Sequence, residues 1–232
     1  MERPEFDRYS GSYDELLKDP LRDRFTGGES QFFYERKCAL IRSFFRRRRL
    51  DVSQLGYLDV GCGRGELLGL LHGDFARTAG CDVSEGMMSA VKDCEHRVQT
   101  DPGKIPFADA EFDFVTAVCV FHHVAPAERA GLTAEIARVL RPGGIYCLIE
   151  HNPWNPVTRT IVKRAPVDRD AILLNAGEGV ALAAQAGLEP LAREYFLYFP
   201  KSIYTAIGAV EALLRSLPLG GQYAVFSRKP ER

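Results

Sequence analysis

The chain lacks the features that would tie it to a membrane, an oxidising compartment or a polyanion. Acids and bases nearly cancel over its 232 residues, for a formal net charge of −1, so no bulk electrostatic argument points to nucleic acid or an anionic membrane. No apolar stretch is long enough to span a bilayer. The first residues, Met1-Glu2-Arg3-Pro4-Glu5, are polar and do not read as a secretory leader. The six cysteines (Cys38, Cys62, Cys81, Cys94, Cys119, Cys147) include no C-x-x-C pair. Several fall within predicted strands or beside glycines and read as reduced, small apolar residues. A cytoplasmic protein is the expectation. Internal repeats and low-complexity tracts are also missing, and the sequence is silent on oligomeric state. What remains is 46% hydrophobic residues in a length that suits one large α/β domain.

After Gly56 strand and helix patterns alternate, the signature of a parallel sheet with helices on both faces. Candidate strands are Tyr57–Val60, Thr78–Asp82, Arg97–Thr100, Phe112–Val120, Gly144–Glu150, Leu188–Tyr198 and Tyr223–Arg228. Candidate helices are Glu66–Leu71, Ser84–Cys94, Pro126–Leu140 and Gly177–Ala186, with an apolar helix over Ile203–Leu217. Residues 1–55 form a mainly helical lead-in, with a helix predicted from Ser30 to Arg49, and residues 56–232 form the main domain. Within it, residues 151–176 read as an irregular insert broken by Pro153, Pro156 and Pro166. Such segments carry specificity on α/β scaffolds, because ligands bind at the carboxyl ends of the strands. The run Arg46-Arg47-Arg48-Arg49 closes a predicted helix, where cations favour the negative dipole end.

The segment Tyr57-Leu58-Asp59-Val60-Gly61-Cys62-Gly63-Arg64-Gly65-Glu66 is the most informative. An apolar strand ends near an acid, and three glycines follow on alternate positions before a helix. A dinucleotide fingerprint, G-x-G-x-x-G, would need its third glycine where Glu66 stands, and a carboxylate there repels a pyrophosphate. A loop flanked by Asp59 and Glu66 suits a ligand of net positive charge. Asp82 ends the second strand, about 20 residues beyond the glycine loop, where an acid accepts ribose hydroxyls. Ser84 is a good N-cap for the next helix, with Met87 and Met88 one turn in.

The segment from Asp59 to Gly65 resembles motif I, D-x-G-x-G-x-G, of the class I S-adenosylmethionine-dependent methyltransferases. The resemblance continues through Asp101-Pro102, Ile105-Pro106-Phe107 and Phe112-Asp113 to Arg138-Val139-Leu140-Arg141-Pro142-Gly143-Gly144, and covers about residues 57–150. It implies a Rossmann-like, doubly wound α/β fold with seven mostly parallel strands, a late antiparallel hairpin and an N-terminal helical lid. It implies S-adenosylmethionine as cofactor and S-adenosylhomocysteine as product. Asp59, Gly61, Cys62, Gly63 and Gly65 would cradle the methionine end. Asp82 and Val83 would hold the ribose; Asp101, Pro102 and Met87 would meet the adenine. Cys119 and Val120, at the exit of the fourth strand, would lie beside the methionine moiety. Tyr9 and Tyr13 sit in Phe6-Asp7-Arg8-Tyr9-Ser10-Gly11-Ser12-Tyr13-Asp14, similar to the opening stretch of many small-molecule members, and would belong to the lid that excludes water.

Methyl transfer asks the protein chiefly to position the acceptor, and an alcohol acceptor also benefits from a base. His122 and His123 follow the fourth strand and His151 follows the fifth, so these three are the candidate bases or substrate contacts. His72 and His96 read as surface residues at helix ends. Two adjacent histidines also suggest a metal, but no clear third ligand stands out, and no metal is expected. Asn152, Trp154 and Arg159 concentrate hydrogen-bonding and stacking groups in the insert, followed by Arg164, Arg169 and Asp170, a composition that suits a glycosyl or phosphorylated acceptor. The expected activity is methyl transfer to a small molecule, a hydroxyl of a sugar, glycolipid or natural-product intermediate. The aromatic C-terminal part allows contact with a lipid-linked substrate. A methyltransferase-like binding subunit and a protein or RNA methyltransferase are the alternatives; the missing basic face disfavours RNA, and no nucleic-acid partner is expected.

Overall fold

The computed structural model describes residues 5–231; the polar start at Met1 to Pro4, and Arg232, lie outside the described residues. The helices are α1 (Tyr13–Leu16), α2 (Pro20–Thr26), α3 (Gln31–Arg48), α4 (Glu66–Leu71), α5 (Glu85–Met88), α6 (Arg129–Val139), α7 (Pro156–Arg164), α8 (Ala176–Gln185) and α9 (Lys201–Leu214). The strands are β1 (Gly56–Val60), β2 (Arg77–Asp82), β3 (Glu95–Val98), β4 (Phe112–Val118), β5 (Leu140–His151), β6 (Glu189–Phe196) and β7 (Gln222–Arg228). They form one seven-stranded sheet in the order β3-β2-β1-β4-β5-β7-β6. Every pair from β3 to β5 is parallel, and β7 runs antiparallel to both β5 and β6. The chain therefore has the Rossmann-like α/β fold expected of it, and the strand order reverses between β1 and β4, where such sheets open a ligand crevice.

The central strands are buried on both faces and read as near-continuous apolar runs. On one face α6 and α8 contribute Leu132, Ile136 and Ala183 to a core with Leu58, Val115 and Leu148. On the other, α3 and α4 contribute Phe44, Phe45 and Leu68 against Tyr57, Phe114 and Phe226. Phe44 stacks on Phe226 with ring centroids 3.7 Å apart, and each fully buried side chain of this size stabilises the fold by roughly 1.5–3 kcal/mol. The apolar side of α3 is thus part of the sheet's core. Its C-terminal arginines are used within the chain: Arg47 pairs with Glu194, and Arg48 donates to the Leu191 carbonyl at 2.9 Å.

Four local expectations are corrected. The insert is not wholly irregular, because residues 156–164 form α7. Pro156 occupies the first helical position, where a missing N–H costs nothing, and the Asn155 side chain caps the Thr158 N–H at 3.0 Å. The helix expected from Ser84 to Cys94 stops at Met88, where the Ser89 hydroxyl bonds back to the Gly86 carbonyl at 2.7 Å. β4 ends at Val118 instead of running to Val120, because Cys119 takes φ +58°, which no strand continues. β3 begins at Glu95, so His96 lies in that strand, exposed, and not at a helix end.

Candidate active site

The carboxyl ends of β1, β2, β4 and β5 form one rim. After β1 the chain turns through Gly61, at φ +72°, with Val120 packed so closely that a Cβ on Gly61 would lie 2.4 Å from its Cγ2. The turn can therefore be made only by glycine, and it brings the loop against the β4 exit. Asp82, at the end of β2, holds the loop from the other side. Its carboxylate accepts the Gly63 N–H and the Ser84 N–H, each at 2.8 Å. Ser84 caps the Met87 N–H, and Met87 is buried. Asp59 is 3% exposed and accepts the Thr116 hydroxyl at 2.6 Å. Burial pushes its carboxyl up to about 7, the Thr116 hydrogen bond opposing. Burial also raises Asp82 and Glu66. Three acids that burial makes reluctant to ionise mark a place where a cationic ligand is welcome.

Val83 lies half-buried beside Asp82, and Cys62 is buried against Gly80. Asp101 and Pro102 are exposed on a turn in which the Asp101 carboxylate accepts the Gly103 N–H at 2.8 Å. The N-terminal segment closes over the rim. Asp7 accepts the Ser84 hydroxyl at 2.6 Å and the Gly86 N–H at 3.0 Å. Phe6 sets its ring edgewise between Tyr9 (5.9 Å) and His123 (4.9 Å). Tyr13 lines a cavity of about 400 Å³ together with Tyr34, Gly65 and Glu66. Its phenol is raised by burial, reinforced by the charges of Asp168 and Glu66.

The other half of the rim is built of paired charges. His122, 1% exposed at the side chain, donates from Nδ1 to Glu150 Oε2 at 2.6 Å, and Glu150 Oε1 accepts the Phe121 N–H at 2.7 Å. On its far side His122 Nε2 lies 3.5 Å from Asp168 Oδ1, and His123 Nε2 lies 3.4 Å from the same oxygen. Burial alone would lower His122; the charges of Glu150 and Asp168 outweigh it and bring it to about 10. Burial likewise opposes ionisation of Asp168, but the facing rings of His122 and His123 hold it well below the usual carboxylate range. The His151 ring lies 5.1 Å from that of His122. Cys119 sits next to it, its thiol drawn down to about 7 against burial by Lys37 and His151.

The structure thus brings together His122, His123, His151, Cys119 and Val120, and on the adjoining ends the glycine loop, Asp59 and Asp82. It places the insert residues differently from expectation. Asn152 is fully buried and donates to the Pro218 and Gly220 carbonyls, at 3.0 and 2.8 Å, while accepting the Trp154 N–H. Its amide staples the insert to the loop before β7 and has no reach to a substrate. Trp154 is 68% exposed and Arg159 is exposed. The insert acid that enters the site is Asp168, not Asp170. An acid that the sequence did not single out thus stands beside the two histidines: one ligand atom each of His122, His123 and Asp168 lies within 4.8 Å of the others.

Four further residues were not singled out from the sequence. Glu150 is the penultimate residue of β5. Lys37, on α3, is 6% exposed with Nζ 3.6 Å from the Cys119 sulfur. Gln222 donates to Cys119 and lies 3.4 Å from His151, with Oε1 buried and without a partner among the described residues. Asp7 docks the lid. Only Glu150 carried a signal, an acid closing an otherwise apolar strand; the others depend on distant packing.

Sheet order, glycine turn and terminal acid of β2 define the class I S-adenosylmethionine-dependent methyltransferase architecture. Residues 58–148 match the family model described as a methyltransferase domain. A demethylmenaquinone methyltransferase of Beutenbergia cavernae is 38% identical over 120 residues, 47% of this chain and 49% of the relative. The 27-O-demethylrifamycin SV methyltransferase of Amycolatopsis mediterranei is 25% identical over 206 residues, 75% of this chain and 72% of the relative. The chain spans about half the length of the first curated relatives it matches. A solved S-adenosylmethionine-dependent methyltransferase of Thermotoga maritima superposes with TM-score 0.68 over 97% of this chain and 98% of that one, at 15% identity, a likeness of fold. Among the described residues no helix is long and apolar enough to cross a membrane.

Proposed function

We propose that the chain transfers the methyl group of S-adenosylmethionine to a small-molecule acceptor, at a hydroxyl of a sugar, glycolipid or natural-product intermediate. The observation that carries this reading is the polarity of the rim. A half lined by acids that burial raises adjoins a half lined by three histidines and an aspartate held low. The cofactor is a sulfonium and an ammonium with one carboxylate. Its cationic groups suit Asp59, Glu66 and Asp82, and the buried Lys37 suits its carboxylate. Asp82 would accept the ribose hydroxyls while its present amide contacts keep the glycine loop in register. Asp101 and Pro102 would border the adenine.

The cofactor supplies the activated methyl group. The chain's task is to set an acceptor oxygen in line with the carbon–sulfur bond, take its proton and keep water out. His123 and His151 are the groups placed to receive that proton, with Asp168 orienting the first. The N-terminal segment, Phe6 to Tyr13, acts as the lid, and the 151–176 insert shapes the acceptor side. Two relatives are named for small-molecule acceptors, demethylmenaquinone and 27-O-demethylrifamycin SV, which supports this class of substrate.

Calorimetry with S-adenosylmethionine, S-adenosylhomocysteine and NAD tests the cofactor half. Micromolar binding of the first two without the third is expected; no binding of either sinks the reading and favours a binding subunit. Conversion of the first to the second, followed during a screen of phosphosugars and nucleotide-sugars, tests the acceptor half.

A further inference from the structure

We propose that His122, His123 and Asp168 form a binding site for one divalent transition-metal ion, zinc or its neighbours, on the acceptor side of the rim. The three side chains converge from two elements, the turn after β4 (Phe121–His123) and the turn that follows α7 (Pro166–Asp168). Their ligand atoms all lie within 4.8 Å of one another. The two nitrogen–oxygen separations are 3.5 and 3.4 Å. Those are long for direct N–H···O hydrogen bonds, which centre on about 2.9–3.0 Å. They match the edge of a tetrahedron with metal–ligand bonds of about 2.0–2.1 Å, which is about 3.3–3.4 Å.

The outer contacts point the same way. A metal-bound histidine characteristically donates its other ring N–H to a carboxylate, which turns the remaining nitrogen lone pair toward the ion. His122 does this to Glu150 at 2.6 Å, and Glu150 is itself anchored by the Phe121 N–H. The Ile172 N–H donates to the His122 carbonyl at 2.8 Å, and the Ala171 N–H to the Asp168 carbonyl at 3.0 Å. Both ligand-bearing turns are therefore fixed to each other by backbone.

Two imidazoles and one carboxylate favour zinc, iron, cobalt or nickel over calcium or magnesium. Three protein ligands leave a position open, the mark of a catalytic and not a structural site. The His123 side chain is 25% exposed, so that position faces the space covered by Phe6. What the ion does rests on the methyl-transfer reading. It would take the acceptor oxygen as its fourth ligand and stabilise it as the oxyanion. With His123 occupied as a ligand, the hydroxyl proton would pass to His151 alone. The oxygen then attacks the methyl carbon, the carbon–sulfur bond breaks, and its electron pair stays on the neutral thioether of S-adenosylhomocysteine.

The test uses the full chain, stripped with a chelator and titrated with Zn²⁺ by calorimetry and with Co²⁺ by its visible absorption, without cofactor or acceptor. Expected are one equivalent bound and a cobalt spectrum of low coordination number. His123→Ala, at the exposed residue of its turn, and Asp168→Ala should each abolish saturable binding, while His96→Ala, at an exposed histidine on β3, should leave it unchanged. Glu150→Gln should weaken it by about 10–100-fold. S-adenosylhomocysteine binding by each variant reports that the rim is folded. The proposal is overturned if neither ion binds saturably below the millimolar range, or if folded His123→Ala and Asp168→Ala bind as wild type does. Either result leaves cofactor binding, and with it the methyl-transfer reading, standing or falling on its own calorimetry.

Discussion

The two halves of the rim solve opposite electrostatic problems. At the ends of β1 and β2 the acids are buried without full counter-charges, and burial raises Asp59, Glu66 and Asp82. At the ends of β4 and β5 the charges are compensated, with His122 between Glu150 and Asp168. The first half is a site waiting for a cation, and its ligands come from residues close in sequence. The second is internally neutralised and is assembled from segments about 30 to 50 residues apart. A ligand should therefore stabilise the first half, whereas the second should already contribute to folding without one.

The largest expected effect breaks the compensated half. Glu150→Ala leaves His122 charged and buried with one partner fewer, and the Phe121 N–H unpaired. Urea denaturation should show a loss of about 3–5 kcal/mol, while Asp82→Ala should stay within about 1 kcal/mol of wild type. Next comes the glycine turn. Gly61→Ala places a Cβ against Val120 at positive φ and should cost about 2–4 kcal/mol together with cofactor affinity; adding Val120→Ala should recover only the steric part. If the double variant recovers everything, the backbone conformation is not the constraint.

The third pair separates binding from chemistry. Asp82→Ala should weaken S-adenosylmethionine about 100-fold, from two lost hydrogen bonds to a charged group. Asp168→Asn should leave that dissociation constant unchanged and lower kcat by about 10²-fold or more. Equal effects of both on cofactor affinity would erase the division of the rim. The smallest effect is a pH dependence. Asp59 has a folded-state pKa of about 7 against an ordinary 3.8, so between these values the folded state holds more protons than the unfolded one. Its contribution therefore disfavours folding increasingly as pH rises through that window, and a bound cation, which favours the ionised form, reverses the trend. Cofactor affinity should rise by up to about tenfold per pH unit below 7. Asp59→Asn should flatten that slope and raise the apo melting temperature.

The glycine-loop half was legible because its information is local. The run from Asp59 to Glu66, Asp82 and the Ser84 cap each follow from a turn, a strand end or a helix start, and α4 occupies the residues its pattern indicates. The insert was not, because Pro153, Pro156 and Pro166 read as breakers although one of them opens α7. Asn152 looked like a substrate contact because its amide is a versatile hydrogen-bonder; burial turned it inward to backbone carbonyls. Asp168 stood two residues from the acid that drew notice, and its side chain enters the site because the turn at Pro166 aims it there.

Composition, hydrophobic period and glycine spacing by themselves determined the α/β architecture and the strand that carries the glycine turn. These depend on steric limits and burial within a few residues. Only the tertiary structure decided which acid meets the histidines, that Lys37 crosses from α3 to Cys119, and that Gln222 faces His151. Contacts across tens of residues are set by the packing of whole helices on the sheet, and no local pattern records where a side chain arrives.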